Sequence, residues 1–238
     1  MNPNSKATHR QCQLEDNNEN QCRDFGDVCS SKTKDSIRVM FQNVNGLGYS
    51  SQSVKSNSIR NIINTKQVDI MAMAETNLNW GKLKRAQTLP MVCKKWFERS
   101  RATVAYNQHQ RRSKFVHQPG GTAIISVGDM SLRHHKHEYD TRKLGRWCSQ
   151  AFQGKQGIVT RIVSVYVPIL VTTHGHKKVA CQQHRALVSM GIKENVISIF
   201  WKDFWDQIDN WLEEGNQLII GGDWNEEITK EKFLEPFK

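Results

Sequence analysis

Two apolar patterns interleave along this chain, and their alternation constrains the fold more than any other feature. One is a set of short, strand-length runs: Ile37-Arg-Val-Met-Phe41, Val68 to Ala74, Thr122 to Val127, Ile158 to Val167 and Gln217 to Ile220. The other has the spacing of a helix. Ile59, Ile62 and Ile63 form a short example, which Ser56 or Asn57 could cap. From Asn195 to Glu214, Ile197, Phe200, Trp201, Phe204, Ile208, Trp211 and Leu212 recur at three- and four-residue steps, with Lys202, Asp203, Asp206 and Glu213 on the other face. Pro119-Gly-Gly121, Pro168 and Gly215 punctuate the runs. Strands alternating with helices and breakers, with no internal repeat, define an α/β class. From Val171 to Gly191 no period is evident, and a loop with a short helix is expected there.

The 238 residues are 37% hydrophobic, with 7 Trp and 9 Phe, which is enough apolar material for one sizeable core. Residues 1–35 are rich in Asn, Gln, Ser, Asp and Lys and poor in aliphatics, so they are expected to form a disordered polar tail before a domain spanning 36–238. No run approaches the roughly 18 apolar residues of a membrane span. The N-terminus carries no secretory pattern, so the expectation is an intracellular protein, nuclear if functional. Cys12, Cys22, Cys29, Cys93, Cys148 and Cys181 form no CxxC pair. Free thiols are a better reading than a metal knuckle built from His9 and the first three.

A formal charge of +11 favours a polyanionic partner. Between Lys82 and Lys114 lie Lys84, Arg85, Lys94, Lys95, Arg99, Arg101, Arg111 and Arg112, with Glu98 the only acid. A second cluster runs from Arg133 through Lys136 to Arg142, Lys143 and Arg146, with three histidines among them. Either cluster could be a solvated loop. Two in one basic chain point to nucleic acid, with Lys82, Lys84, Arg85, Arg111, Arg112 and Lys114 as the leading phosphate contacts.

The chemistry lies at the ends of the apolar runs. Three of them terminate in carboxylates or carboxamides: Asn43 and Asn45, then Glu75, then Asp223 and Asn225. Strand ends on one edge of a sheet can converge though distant in sequence, and sites concentrate at such edges. Phosphodiester hydrolysis needs a hard cation with oxygen ligands, a part Glu75 suits, supported by Asn43. It also needs a held and deprotonated water, a task for Asp223 aided by Asn225. Each motif has an ordinary reading as well: Asn45-Gly46 as a turn, Gly221-Gly-Asp223 as turn chemistry. Their joint appearance, each after a buried strand, favours the functional one.

Gln-Asn43-Val-Asn45-Gly-Leu, Ala-Glu75-Thr-Asn, Ser-Val-Tyr166-Val-Pro and Gly-Gly-Asp223-Trp-Asn225, read in order, resemble successive motifs of the endonuclease/exonuclease/phosphatase superfamily. Gln118-Pro-Gly-Gly-Thr-Ala-Ile124 and Leu144-Gly-Arg-Trp147 make the resemblance greatest to endonuclease domains of non-LTR retrotransposons, related to apurinic endonucleases. It implies a four-layer α/β sandwich, two mixed β-sheets flanked by helices. It implies a magnesium-dependent (or manganese-dependent) endonuclease that nicks DNA, with a reverse transcriptase domain in the parent protein. Glu75 would be the main metal ligand with Asn43 beside it. Asp223 would activate water, Asn225 would contact the phosphate or orient that water, and Tyr166 would lie near the scissile phosphate.

Two departures qualify the resemblance. Asn45 stands where apurinic endonucleases carry Asp. The family's closing Ser-Asp-His-type motif has no counterpart, since no His follows His184, and His174, His176 and His184 precede Asp223. The expectation is therefore a domain lacking its last strands. A catalytically silent retroelement remnant that at most binds nucleic acid, and a phosphatase acting on small esters, stand as alternatives.

Overall fold

The computed structural model describes residues 30–50, 53–109, 114–169 and 178–225. The chain divides into two compact units, Met1–Ser31 and Lys32–Lys238, and the architecture below is that of the second. Cys12, Cys22, Cys29, Arg111, Arg112, His174 and His176 lie outside the described residues. Lys32, within the segment expected to be a polar tail, is ion-paired to Asp69 at 2.6 Å.

One sheet contains β1 (Val39–Asn43), β2 (Ile70–Ala74), β3 (Ser100–Ala105) and β4 (Thr122–Val127) in the order β1-β2-β4-β3. The other contains β5 (His134–Tyr139), β6 (Trp147–Gln153), β7 (Val159–Tyr166) and β8 (Asn216–Asp223) in the order β5-β6-β7-β8. Each sheet has one parallel pair, β1 with β2 and β7 with β8, and is otherwise antiparallel. A parallel pair needs a crossover. The first is α1 (Val54–Thr65); the second contains α4 (Val179–Ser189) and α5 (Val196–Glu213), with α2 (Leu89–Trp96) and α3 (Gly128–Arg133) elsewhere.

Strand alternation sorts side chains into layers. Val39, Phe41, Ile70, Ala72 and Ile124 of the first sheet meet Cys148, Phe152 and Ile162 of the second, forming the layer between the sheets. Met71, Met73, Ala123 and Ile125 face outward onto Ile59 and Ile63 of α1 and Leu89 and Cys93 of α2. Trp147, Val163 and Val165 face outward onto Phe200, Phe204, Ile208 and Trp211 of α5. The result is the expected sandwich: helix, sheet, sheet, helix.

Several local expectations need correction. α1 begins earlier than expected, because Ser53 is in extended backbone and its Oγ accepts the Ser56 N–H; neither Ser56 nor Asn57 is the cap. In α5, Leu212 is 49% exposed while Ile199 is buried, so the apolar stripe is rotated slightly from the spacing. β3, β5 and β6 were not foreseen. β6 is buried along most of its length although it reads Trp-Cys-Ser-Gln-Ala-Phe-Gln, because Gln150 donates across the sheets to Thr103 Oγ1 (3.1 Å) and Ser149 Oγ accepts from Arg161.

The second basic cluster is the largest correction. Arg146 is fully buried, 2.6 Å from Asp140 and 2.8 Å from Asp203, with its guanidinium 4.6 Å from the Trp147 ring centre. Arg142 forks onto the same Asp203, and Lys136 pairs with Glu138 and Glu214. These cations neutralise internal or neighbouring carboxylates and are not held out for phosphate. Asp203 on α5 and Glu214 at its end are remote in sequence, so a count of charge within the cluster sees only Glu138 and Asp140.

Candidate active site

The two parallel pairs end at the same rim. Asn43 registers with Ala74 at the end of β1 and β2, and Tyr166 registers with Asp223 at the end of β7 and β8. Asn43 shares its strand parity with Phe41, and Tyr166 shares its own with Ile162, both in the layer between the sheets. Alternation therefore turns both side chains toward the mouth of that layer. The contacts agree. Asn43 Nδ2 donates to Asp223 Oδ2 at 2.7 Å, joining the two sheets across 180 residues of sequence. Tyr166 donates to the Glu75 carboxylate, and its acidity is lowered by burial first, then by Glu75 and by the charge of Asp223. Its hydroxyl therefore remains a donor throughout the neutral range. Among the described residues, Asn43, Glu75, Tyr166 and Asp223 thus form one polar group.

The chain leaves its strands here by short, tightly held turns. The Val44, Gly46 and Leu47 amides donate to the carbonyls of Ala74, Glu75 and Thr76, prolonging the parallel pairing past β1. Glu75 and Asn77 have φ of 55° and 54°, and Asn45 and Asn225 have 41° and 50°. Positive φ is uncommon for residues other than glycine, least so for Asn, and a cluster at one rim marks imposed geometry. Thr76 and Asn77 amides bond to the carbonyls of Gly121 and Gly120, while Asn77 Oδ1 accepts the Gly120 N–H at 2.7 Å. The Pro119-Gly-Gly121 breaker is therefore the clamp that holds the Glu75 turn. Asn77 was missed as a site residue by sequence reasoning; its place two residues after Glu75 was the only available signal.

Asp223 follows two glycines for steric reasons. A Cβ on Gly221 would stand 2.5 Å from the Phe41 ring, and one on Gly222 would stand 2.0 Å from the Val165 carbonyl oxygen. Asp223 Oδ1 accepts the Asn225 N–H at 3.2 Å, so both of its oxygens have a donor and its plane is fixed. Asn225 is placed at the rim, but its Nδ2 donates to Val167 O at 2.7 Å, which ties the end of β8 to the end of β7. Asn45 is exposed beside Asn43 Oδ1, which accepts its N–H. Trp224 turns the other way and packs against Trp201 with ring centres 6.0 Å apart and planes nearly parallel.

Of the residues expected to contact phosphate, Lys82, Lys84 and Arg85 lie on two short 3-10 turns that follow the Glu75 loop, and all three are exposed. Lys114 is exposed in the segment that reaches the Pro119 clamp, where Asn79 N–H donates to Val116 O. Among the described residues, no three His, Cys, Asp or Glu side chains gather closely enough to hold an ion. The rim offers two carboxylates and two carboxamides, an all-oxygen donor set.

No protein-family model and no curated protein sequence matches the chain. Solved structures do. The catalytic domain of Xenopus laevis APE2 is similar at a TM-score of 0.51 and 13% identity, over 83% of this chain and 64% of that one. A 3'-5' exonuclease (NExo) from Neisseria meningitidis gives 0.45 and 14% over 79% and 57%. An AP endonuclease from Archaeoglobus fulgidus gives 0.44 and 13% over 84% and 63%. The chain thus spans less than two thirds of the length of each. With the strand order and layers above, the first likeness identifies the fold as that of the endonuclease/exonuclease/phosphatase proteins.

Proposed function

We propose that this chain is a metal-dependent phosphodiester hydrolase that nicks DNA, of the retrotransposon-endonuclease type, and that its parent protein includes a reverse transcriptase. The observation that carries the reading is the Asn43–Asp223 hydrogen bond with the adjoining Tyr166–Glu75 pair, which gathers polar ends from both sheets at one accessible rim.

The donor set fits a hard divalent cation. Magnesium takes oxygen ligands, retains several waters and needs only one or two carboxylates from protein. Glu75 would hold it, with Asn43 Oδ1 beside it, since that oxygen keeps a lone pair after accepting the Asn45 N–H. When bound, the ion neutralises phosphate charge and makes water more acidic.

The remaining steps belong to the chain. Asp223, oriented by Asn43 and Asn225, receives the proton of the attacking water at a carboxylate oxygen. Tyr166 Oη–H donates its one proton to Glu75 and so orients that carboxylate beside the attacked phosphate. Asn225 positions Asp223 and has its second amide hydrogen for the phosphate. Lys84, Arg85 and Lys114 supply sequence-independent grip on the backbone.

The test is nicking of supercoiled plasmid with magnesium. The chain should nick, and Glu75→Ala and Asp223→Asn should each lower the rate about a hundredfold or more. Undiminished cleavage by Glu75→Ala would overturn the mechanism. Folded protein that binds DNA without cutting it would leave the silent-remnant reading. Release of phosphate from a small ester, with DNA untouched, would replace the substrate.

A further inference from the structure

One cation at the rim, Lys55, lies outside both basic clusters. Lys55 is on the first turn of α1, exposed, and its Nζ donates to the carbonyl of Asn45. It has no carboxylate partner among the described residues, and the first turn of α1 contains no acid. The next residue, Gly46, donates its N–H to the Glu75 carbonyl at 2.7 Å, so the ammonium is one residue removed from the Glu75 turn. Gly46 has φ of 94°, and a Cβ built on it would stand 3.7 Å from Lys55 Nζ and equally 3.7 Å from Asn77 Nδ2. Two donors therefore flank the bare face of a glycine. Asn77 Oδ1 is bound by the Gly120 N–H, which fixes the side chain with its NH2 toward that face.

Building on the nuclease reading, we propose that Lys55 and Asn77 form a phosphate clamp over Gly46, gripping the backbone phosphate next to the one attacked. A tetrahedral phosphodiester offers two non-bridging oxygens, one for the ammonium and one for the amide. Asn45 O keeps the ammonium in place before DNA arrives, so little side-chain freedom is lost on binding. A clamp of this kind grips without reading sequence. It sets the register of the strand against Glu75 and Asp223.

The test measures binding of a fluorescein-labelled DNA duplex to the full chain, without metal, across a range of salt concentrations. Lys55→Gln keeps a donor for Asn45 O and removes the charge. It should weaken binding about five- to tenfold and reduce the slope of log affinity against log salt by about 0.9, the loss of one phosphate contact. Lys55→Arg should restore both. Asn77→Asp, which retains the acceptor for Gly120, should weaken binding at least as much. Lys202→Gln, on α5, is the control and should change nothing.

In nicking assays the Lys55→Gln defect should fall on KM. An unchanged affinity and salt slope in Lys55→Gln would overturn the clamp, as would a pure loss of kcat with a lowered melting temperature, which marks a loop prop. Binding without cleavage by the parent chain would sink the nuclease reading while the salt slope still decides the clamp. A parent chain that neither binds nor cuts would sink both.

Discussion

Gly222, just before Asp223, has almost no latitude. Its φ of 152° and the 2.0 Å that would separate a Cβ from Val165 O leave no room for a side chain, and the obstacle is backbone. Gly222→Ala should therefore destabilise the protein by about 3 kcal/mol, measured by urea unfolding, and should reduce nicking although no carboxylate is touched. Sequence reasoning reached Asn43, Glu75 and Asp223 because a polar residue that ends a buried strand is conspicuous in one dimension. Asn77 and Lys55 were not legible in the same way. Their positions follow from hydrogen bonds to Gly120 and Asn45, and such loop pairings have no periodic trace.

At the scale of elements, legibility followed apolar content. β2, β4, β7 and α5 were readable because one or both faces bury aliphatic or aromatic side chains. β5 and β6 were not, since key polar groups on them bond to other elements: Glu138 to Arg161 and Trp211, and the Gln150 amide nitrogen to Thr103. Basic residues near β5 and β6 look like a binding surface until Asp140 and Asp203 are placed beside them. Replacing Arg146 with Met should cost about 3 kcal/mol, because it strands the buried Asp140 carboxylate while Asp203 keeps Arg142, and calorimetry of the variant would show it. α5 has a further part in the site. It receives Trp224 in a stack with Trp201, so Asp223 and Asn225 are anchored from the side opposite the rim. Trp224→Ala should lose about 2–3 kcal/mol and lower nicking more than a helix-surface change such as Lys202→Ala would.

For the molecule as a whole, acid is the natural stress. Burial would raise the Asp203 carboxyl, but Arg142 and Arg146 outweigh it and hold Asp203 below its ordinary value; Glu138 is likewise held down, by Lys136, Trp211 and Arg161 against burial. A depressed carboxylate contributes stability that is present above its unfolded value, near 4, and lost as pH falls through the folded one. His134 acts in the same direction: burial, with the neighbouring His137 and Arg101, lowers its proton affinity, so the unfolded chain binds that proton more readily below about 6.5. Melting temperature should decline gently from pH 7 to pH 5 and steeply below pH 4, with His134→Gln removing much of the gentle part. A flat profile over that range would contradict these assignments.

The meeting of strand ends from two sheets has a consequence for how activity arises. Asn43 and Glu75 come from the first half of the chain, Tyr166 and Asp223 from the second, and no hydrogen bond within either sheet brings one set to the other. The site behaves as a logical conjunction. A half-folded molecule with either sheet complete has no partial activity to offer, and a chain whose sheets have slipped by one residue has none either. Under the proposed nuclease reading, nicking would report that the two halves have docked in register.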